Sequence, residues 1–485
     1  MKKLILIIFS LVFLSNNVVA NDKYLNEFNK WLIQNNHTQY LEINEHFEEC
    51  KNCSRWDAGP ECFEESGKPK KQCVLDGDQS YGEDGYKWEE QKKYKSKLKI
   101  KFFKEKDGKI RNSIPWNAKK ISDDTLLYYG FVRSKKADLM GGKWLTEASS
   151  NPYEFEFDLH EDKNVDKELK KSAIMSYLLF ENGKITVDEK SPEDRFGILL
   201  NEDAKLFSSS VGKTIVSYVL GNAVCEGYID GVNSKIDDWP LIKNTLYDGQ
   251  KIIDIINMSA GDQEYINVNE RVKKTGKTAG NYTIKYLVEE VFKNSTKKKQ
   301  KWNYSGLPPH LINNYIWFKS NGDYQKILDK TFKEKAKIKY SVQFRTKDYE
   351  KNYKDRIATY EDGILDSHFW ATRYDYLRIA KAMLDDWQND TCVGKYLKTV
   401  FNNRVNKNYQ GNVDNNSNWF NPKQYAGFFH TGYTGMKDRA VMGMDGNGGQ
   451  SIMIDFDLGR IIVINAIHNN YNWKKIAHSV IKKGK

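Results

Sequence analysis

Ser210 and Lys213 stand three positions apart in the stretch "LFSSSVGKTIVSYVLGNAVCEGYIDG". On a helix, residues at i and i+3 share a face, so the amine reaches the hydroxyl. A serine hydroxyl is a poor nucleophile until a base lies beside it. A helix N-terminus adds partial positive charge, which favours the alkoxide. Four letters are weak evidence alone, because Ser96, Ser295 and Ser479 also begin Ser-x-x-Lys quartets in this lysine-rich chain. Context separates Ser210 from them. Phe207 and the pair Ser208-Ser209 precede it, and the residues after it read as an amphipathic helix. That helix buries Ile215, Val216, Val219, Leu220 and Val224 and stops at Gly227.

The elements that must position this pair follow from residue 170 onward. "SAIMSYLLFENGKITVDEK" reads as two strands about an Asn182-Gly183 turn. "KIIDIINMSAGDQ" reads as a short helix ending at Gly261, and "FWATRYDYLRIAKAMLDDW" as a strong amphipathic one. "QSIMIDFDLGRIIVINAIHNN" closes the chain with two strands about Asp457-Leu458-Gly459, and a last helix runs from about Trp473 to Lys482. A hairpin at each end with helices between them predicts an α+β fold. Both termini of the domain build an antiparallel sheet flanked by helices, with a helical subdomain beside it.

Upstream, residues 1–20 read as a signal peptide. Lys2 and Lys3 precede the apolar run Leu4 to Leu14, and Val18-Val19-Ala20 offers a cleavage site before Asn21. No cysteine stands at the cut to take a lipid, and no later stretch is apolar enough to span a bilayer. A periplasmic or secreted product cleaved after Ala20 is expected. Residues 21–165 read as an accessory N-terminal module with many turns and strand-like pieces such as "LLYYGFV". The stretch "SNPYEFEFDLHEDKNVDKELKKS" reads as the connection to the domain at 166–485.

Six cysteines are present, four of them Cys50, Cys53, Cys62 and Cys73. Their spacing would suit zinc in a reducing compartment, whereas export favours disulfides. The connectivity is open, and Cys225 and Cys392 are expected either to pair or to stay buried and free. The net charge of +11 is spread along a chain that also holds 65 acidic residues, so it indicates no nucleic-acid partner. The one sharp basic run, Lys297 to Lys301, reads as a solvated loop. The triplet Asn303-Tyr304-Ser305 is a glycosylation acceptor, and a glycan there would block Tyr304, which suits a bacterial periplasm.

Over residues 170 to 485 the sequence resembles the serine hydrolases of the β-lactamase and penicillin-binding-protein superfamily. It is most similar to the branch of class C β-lactamases, esterases, D-aminopeptidases and 6-aminohexanoate-dimer hydrolases. The resemblance makes Ser210 the acylated nucleophile and Lys213 its proton partner. In "KWNYSGLPPHLI" it makes Tyr304 the facing tyrosine, although Gly306 stands where the family often has asparagine. That departure suits esterases and amide hydrolases better than antibiotic hydrolysis. Tyr265-Ile266-Asn267 keeps the literal triplet but follows "NMSAG" too closely. In "GNGGQSIMID" the resemblance aligns Gly448-Gly449 with the small-residue element of the last catalytic strand. The Gln450 amide would then join that of Ser210 as an oxyanion hole. His430-Thr431-Gly432 is a rival for this element, lying further upstream.

The implied chemistry is hydrolysis of a small-molecule ester, amide or peptide through an acyl-enzyme. It needs no metal and no cofactor. Lys213 and Tyr304 share the proton. A tyrosine near pKa 10 serves as base only where a cation stabilises its anion. A cell-wall D-peptidase or β-lactamase is the alternative within enzymes, and a binding protein without turnover is the alternative outside them. A Ser-His-Asp triad finds no recognisable setting in the sequence. Tyr265, Trp302 and Trp370 are expected either as pocket walls or as core, and Arg373 with Asp375 as an internal ion pair or cap.

Overall fold

A computed structural model describes residues 19–35, 37–49, 88–105, 108, 110–139, 142–266, 282–347, 359–407 and 422–483. Cys50, Cys53, Cys62, Cys73 and residues 1–18 lie outside this set. The chain divides into two compact units between Arg111 and Asn112. The expected boundary at 165 lies well inside the second unit. The first holds helix α1 (Val19–Gln34) and the antiparallel pair β1 (Leu41–Glu49) and β2 (Trp88–Ser96).

The second unit opens with α2 (Asp123–Leu139), where "LLYYGFV" was expected as strand. Ser122 Oγ accepts from Thr125 N–H at 3.3 Å, and Asp123 and Asp124 sit in the first turn, both helix-start features. Leu126, Leu127, Tyr128, Tyr129, Phe131 and Val132 are all nearly fully buried. A helix apolar on every side shows no 3.6-residue period and imitates a buried strand.

After α2 come β3 (Lys143–Thr146), β4 (Glu156–Phe157) and α3 (Lys163–Lys171). The segment expected as a connection is therefore structured. Asp162 caps α3 by accepting from Asn164 N–H at 2.8 Å, and Val165 and Leu169 enter the core. The hairpin β5 (Ile174–Glu181) and β6 (Lys184–Lys190) turns at Asn182 and Gly183, both with positive φ, as its two-residue turn requires.

Strand β7 (Leu206–Phe207) leads into α4 (Val211–Cys225). The small pair β8 (Lys235–Ile236) and β9 (Gln250–Lys251), the helical turn Ile252–Ile256 and α5 (Leu307–Lys319) form the helical side. Strands β10 (Val342–Thr346) and β11 (Leu365–Ala371) precede α6 (Arg373–Gln388) and α7 (Cys392–Asn402). The chain finishes with β12 (Val405–Asn406), β13 (Gln424–Ala426), β14 (Phe429–Thr431), β15 (Val441–Gly446), β16 (Gln450–Asp455) and β17 (Arg460–Ala466). A π-turn at Lys474–His478 then runs into α8 (Ser479–Lys483).

The architecture is α+β, as expected. One sheet runs β12-β13-β14-β15-β16-β17-β5-β6-β4, antiparallel except for the β4–β6 pair. Its centre joins the first strand of the domain to the last, with Ile461 opposite Phe180 and Ile464 opposite Tyr177. Strand β5 is buried along almost its whole length, which marks a strand covered on both faces. On one face Val165 and Leu169 of α3 pack with Ile462, Trp473, Ile476 and Ile481. The second sheet, β3-β10-β11-β7, carries the chain directly to Ser210. No helix among the described residues is long and apolar enough to cross a membrane.

Helix α4 is buried from Val211 through Ala223, not only along one face. Sterics show how tightly it is held. A Cβ added at Gly212 would lie 1.9 Å from the Ser367 carbonyl oxygen of β11, and one at Gly221 would lie 2.7 Å from the Tyr396 ring of α7. Cys225, at the far end of α4, forms a disulfide with Cys392 at the start of α7. The two cysteines that were expected either to pair or to stay free are therefore joined.

We expect Gly212→Ala to push α4 away from β11 and to cost about 3 kcal/mol of stability. Chemical denaturation of wild type and variant measures this, and an unchanged midpoint would show that the helix does not need this contact.

Candidate active site

The turn between β7 and α4 sets the position of Ser210. Phe207 pairs with Trp370 and Leu206 with Ala371 across the β7–β11 edge. Ser208 N–H donates to Phe369 O at 2.8 Å, and Ser208 Oγ accepts from Phe369 N–H at 2.9 Å. The Tyr376 hydroxyl donates to Leu206 O at 2.7 Å. Ser209 then takes φ of +48°, a left-handed conformation rare for a residue with a Cβ. Ser210 sits at the head of α4, where the first-turn amides point.

Lys213 Nζ donates to Ser210 Oγ at 2.8 Å. Lys213 is buried, and its Nζ also lies 5.0 Å from the centre of the Tyr304 ring. Tyr304 is buried and comes from the run before α5. Asn303 anchors that run, donating its amide N–H to Met258 O at 2.8 Å and its side-chain Nδ2 to Asp262 Oδ1 at 2.9 Å. The three residues assigned from the sequence therefore meet, the first two by hydrogen bond and the third through its ring. Tyr265 packs its ring on Phe292 instead, at 5.6 Å.

Both candidates for the last catalytic strand approach this region from different sides. His430 of β14 stacks on Tyr304, with ring centres 6.2 Å apart and planes at 19°. Burial, with Lys407 and Lys213 nearby, pushes the His430 imidazole well below its usual range, so it is neutral. Lys407 Nζ is 2.7 Å from His430 Nδ1. Burial also lowers Lys407 itself to about 7, against the pull of Asp445.

The β15–β16 hairpin touches the nucleophile turn at Gly446. A Cβ there would lie 2.5 Å from Ser208 O and 3.0 Å from Ser209 Cβ, so only glycine allows this approach. Gly448 and Gly449 serve other neighbours. A Cβ at Gly448 would meet the Arg133 guanidinium, and one at Gly449 would meet Tyr471 and the His468 carbonyl. Gln450 is buried, and its side-chain amide donates to Ala466 O. The hairpin residue that lines the cleft over Ser210 is Asn447.

That cleft, of about 220 Å³, is bounded by Ser210, Lys213, Asn447, Arg133 and His368. The last two were not anticipated. His368 Nδ1 lies 2.6 Å from Asp366 Oδ1, which also accepts His368 N–H at 2.8 Å. The i, i+2 spacing on β11 carries a faint signal for this pair, because alternate residues of a strand share a face. Burial alone would raise the Asp366 carboxyl, but His368 and Lys347 beside it hold it well below the usual carboxylate range. His310 Nδ1 accepts from Ser367 N–H at 2.9 Å, and burial keeps that ring neutral, so it forms no ion pair with Asp366. Arg345 and Lys347, at 3.7 and 3.8 Å, are the cations facing this carboxylate. Trp302 and Trp370 are buried aromatic packing. Thr372 caps α6 by accepting from Asp375 N–H at 3.1 Å, the Asp375 carboxylate pairs with Arg378, and Arg373 pairs with Asp188.

Lys407 generates a pH dependence of stability. Its native pKa of about 7 lies below the ordinary lysine value near 10.4. Between these pH values the unfolded chain binds more protons, so this group makes stability rise with pH. Denaturation midpoints of wild type and Lys407→Met, compared at pH 7 and 9.5, should show the wild type gaining relative to the variant. Parallel changes would contradict this.

No family model and no curated protein sequence matches the chain. Its similarity is to solved structures. One, named as a 6-aminohexanoate-dimer hydrolase from Bacillus anthracis, gives a TM-score of 0.49 at 12% identity, covering 73% of this chain and 92% of that one. FmtA from Staphylococcus aureus gives 0.45 at 14% identity, over 70% and 94%. A β-lactamase/D-alanine carboxypeptidase from Pseudomonas syringae gives 0.46 at 13% identity, over 66% and 97%.

Proposed function

We propose that this protein is an exported serine hydrolase that cleaves an ester or amide through an acyl-enzyme. The observation that supports this reading is the 2.8 Å hydrogen bond from Lys213 Nζ to Ser210 Oγ at the base of an open cleft. Ser210 Oγ attacks the substrate carbonyl, and its proton passes to the Lys213–Tyr304 pair. The C–O bond to serine forms as the carbonyl π-bond opens to an oxyanion. Ser210 N–H, at the head of α4, is one donor to that oxyanion. The second is assigned to the β15–β16 hairpin, where Gln450 N–H is the sequence-derived candidate. The intermediate collapses, the leaving group departs with the proton, and water repeats the sequence on the acyl-enzyme.

Tyr304 is the shared proton carrier in this reading. Lys213 Nζ over its ring is the contact that ties this phenol to the Ser210–Lys213 pair. The Lys407–His430 pair behind the ring places a second basic group on that side.

A panel of p-nitrophenyl esters, amides, D-peptides and nitrocefin tests the proposal. Wild type should turn over at least one acyl substrate. Ser210→Ala should lose about a thousandfold or more of that turnover with an unchanged circular dichroism spectrum, and Tyr304→Phe about a hundredfold. Preference for nitrocefin or D-peptides over simple esters would move the assignment to a β-lactamase or cell-wall peptidase. Undiminished turnover in Ser210→Ala would end the proposal.

A further inference from the structure

Arg133 is a buried guanidinium in the wall of the Ser210 cleft, only 7% exposed. Its Nη2 donates to Asn447 O at 2.8 Å and lies 3.4 Å from Ser209 Oγ. Both partners are uncharged. Among the described residues it has no carboxylate partner, and its pKa falls to about 10 because burial strips water from the cation. Among the described residues no acidic side chain lines the cleft, while Lys213 shares it. Its guanidinium also lies over the Phe207 ring, 5.4 Å from the centre, but a buried cation offset by neutral dipoles and a ring still lacks a counter-charge, and the usual remedy is an anion. Guanidinium offers a planar fork of donors that fits a carboxylate through two parallel hydrogen bonds.

We propose that Arg133 is the anion subsite of this cleft and that the natural acyl substrate carries a carboxylate. This rests on Ser210 being the nucleophile. The 3.4 Å separation from Ser209, next in sequence to Ser210, places the carboxylate within a few bonds of the scissile carbonyl. Helix α2, which carries Arg133, lies upstream of residues 170–485, the part that resembles the hydrolases. The selecting charge is thus supplied from upstream of the motifs that carry the resemblance. Gly448 is part of the same device, because a Cβ there would lie 1.9 Å from Arg133 Nη1 and displace the guanidinium. A positive cleft also concentrates anionic substrate before it binds.

The test compares kcat/KM of the full chain on p-nitrophenyl acetate, mono-p-nitrophenyl glutarate and 3-acetoxybenzoate. The second carries its carboxylate on the acyl side and the third on the leaving group. Wild type should prefer one carboxylated ester about tenfold or more, and that ester identifies the side on which the anion lies. Arg133→Met should reduce this preference about tenfold to a hundredfold, with Arg133→Lys intermediate. No preference in wild type, or an equal loss on all three esters in Arg133→Met, would overturn the proposal. If Arg133→Met does not fold, glutarate and benzoate should inhibit wild-type hydrolysis of p-nitrophenyl acetate competitively, and absence of inhibition would overturn it. Ser210-dependent turnover of the neutral ester separates the two levels. With it present and no carboxylate effect, the Arg133 assignment alone falls. With it absent, the hydrolase reading falls and takes this proposal with it.

Discussion

The hydrogen bond between Lys213 and Ser210 depends on a helix that has almost no freedom to move. Helix α4 is buried on all sides, and two glycines let it approach β11 and α7 at backbone range. A lysine side chain is flexible and strongly hydrated in water. Here the surrounding core removes both properties and holds the amine next to one hydroxyl. The strain at Ser209 belongs to the same arrangement, because the chain must reverse sharply from β7 to place the hydroxyl at the mouth of the helix. In the proposed reaction, substrate charge would develop where amides and cations are already fixed, so little reorganisation would be needed.

Long-range packing decides what else reaches this point. The sheet brings β14 to Tyr304 and the β15–β16 hairpin to Ser209, both from far later in the chain. The hairpin glycines divide between these neighbours. Gly446 gives way to the nucleophile turn, Gly448 to Arg133 and Gly449 to Tyr471. Each of the three thus leaves room for another part of the protein. The cleft is shaped as much by α2 and the turn at Asn447 as by the nucleophile helix.

Legibility in the sequence followed locality. Ser210 and Lys213 were readable because one helical turn relates them. The two terminal hairpins were readable because Asn182-Gly183 and Gly459 fix their turns. Helix α2 was misread because its apolar run from Leu126 to Val132 is buried all round and carries no period. Arg133 and the Asp366–His368 pair gave little or no signal, since their meaning comes from neighbours far away in sequence. The Cys225–Cys392 bond was one of two open possibilities until packing placed α4 and α7 together.

The central claim is that Lys213 makes Ser210 nucleophilic. The most direct measurement is mass spectrometry of the protein after brief exposure to a fluorophosphonate, in wild type and in Lys213→Met. The account predicts a single adduct on Ser210 in wild type and a rate of labelling reduced at least a hundredfold in the variant. An adduct on another residue, or equal labelling of both proteins, would contradict it.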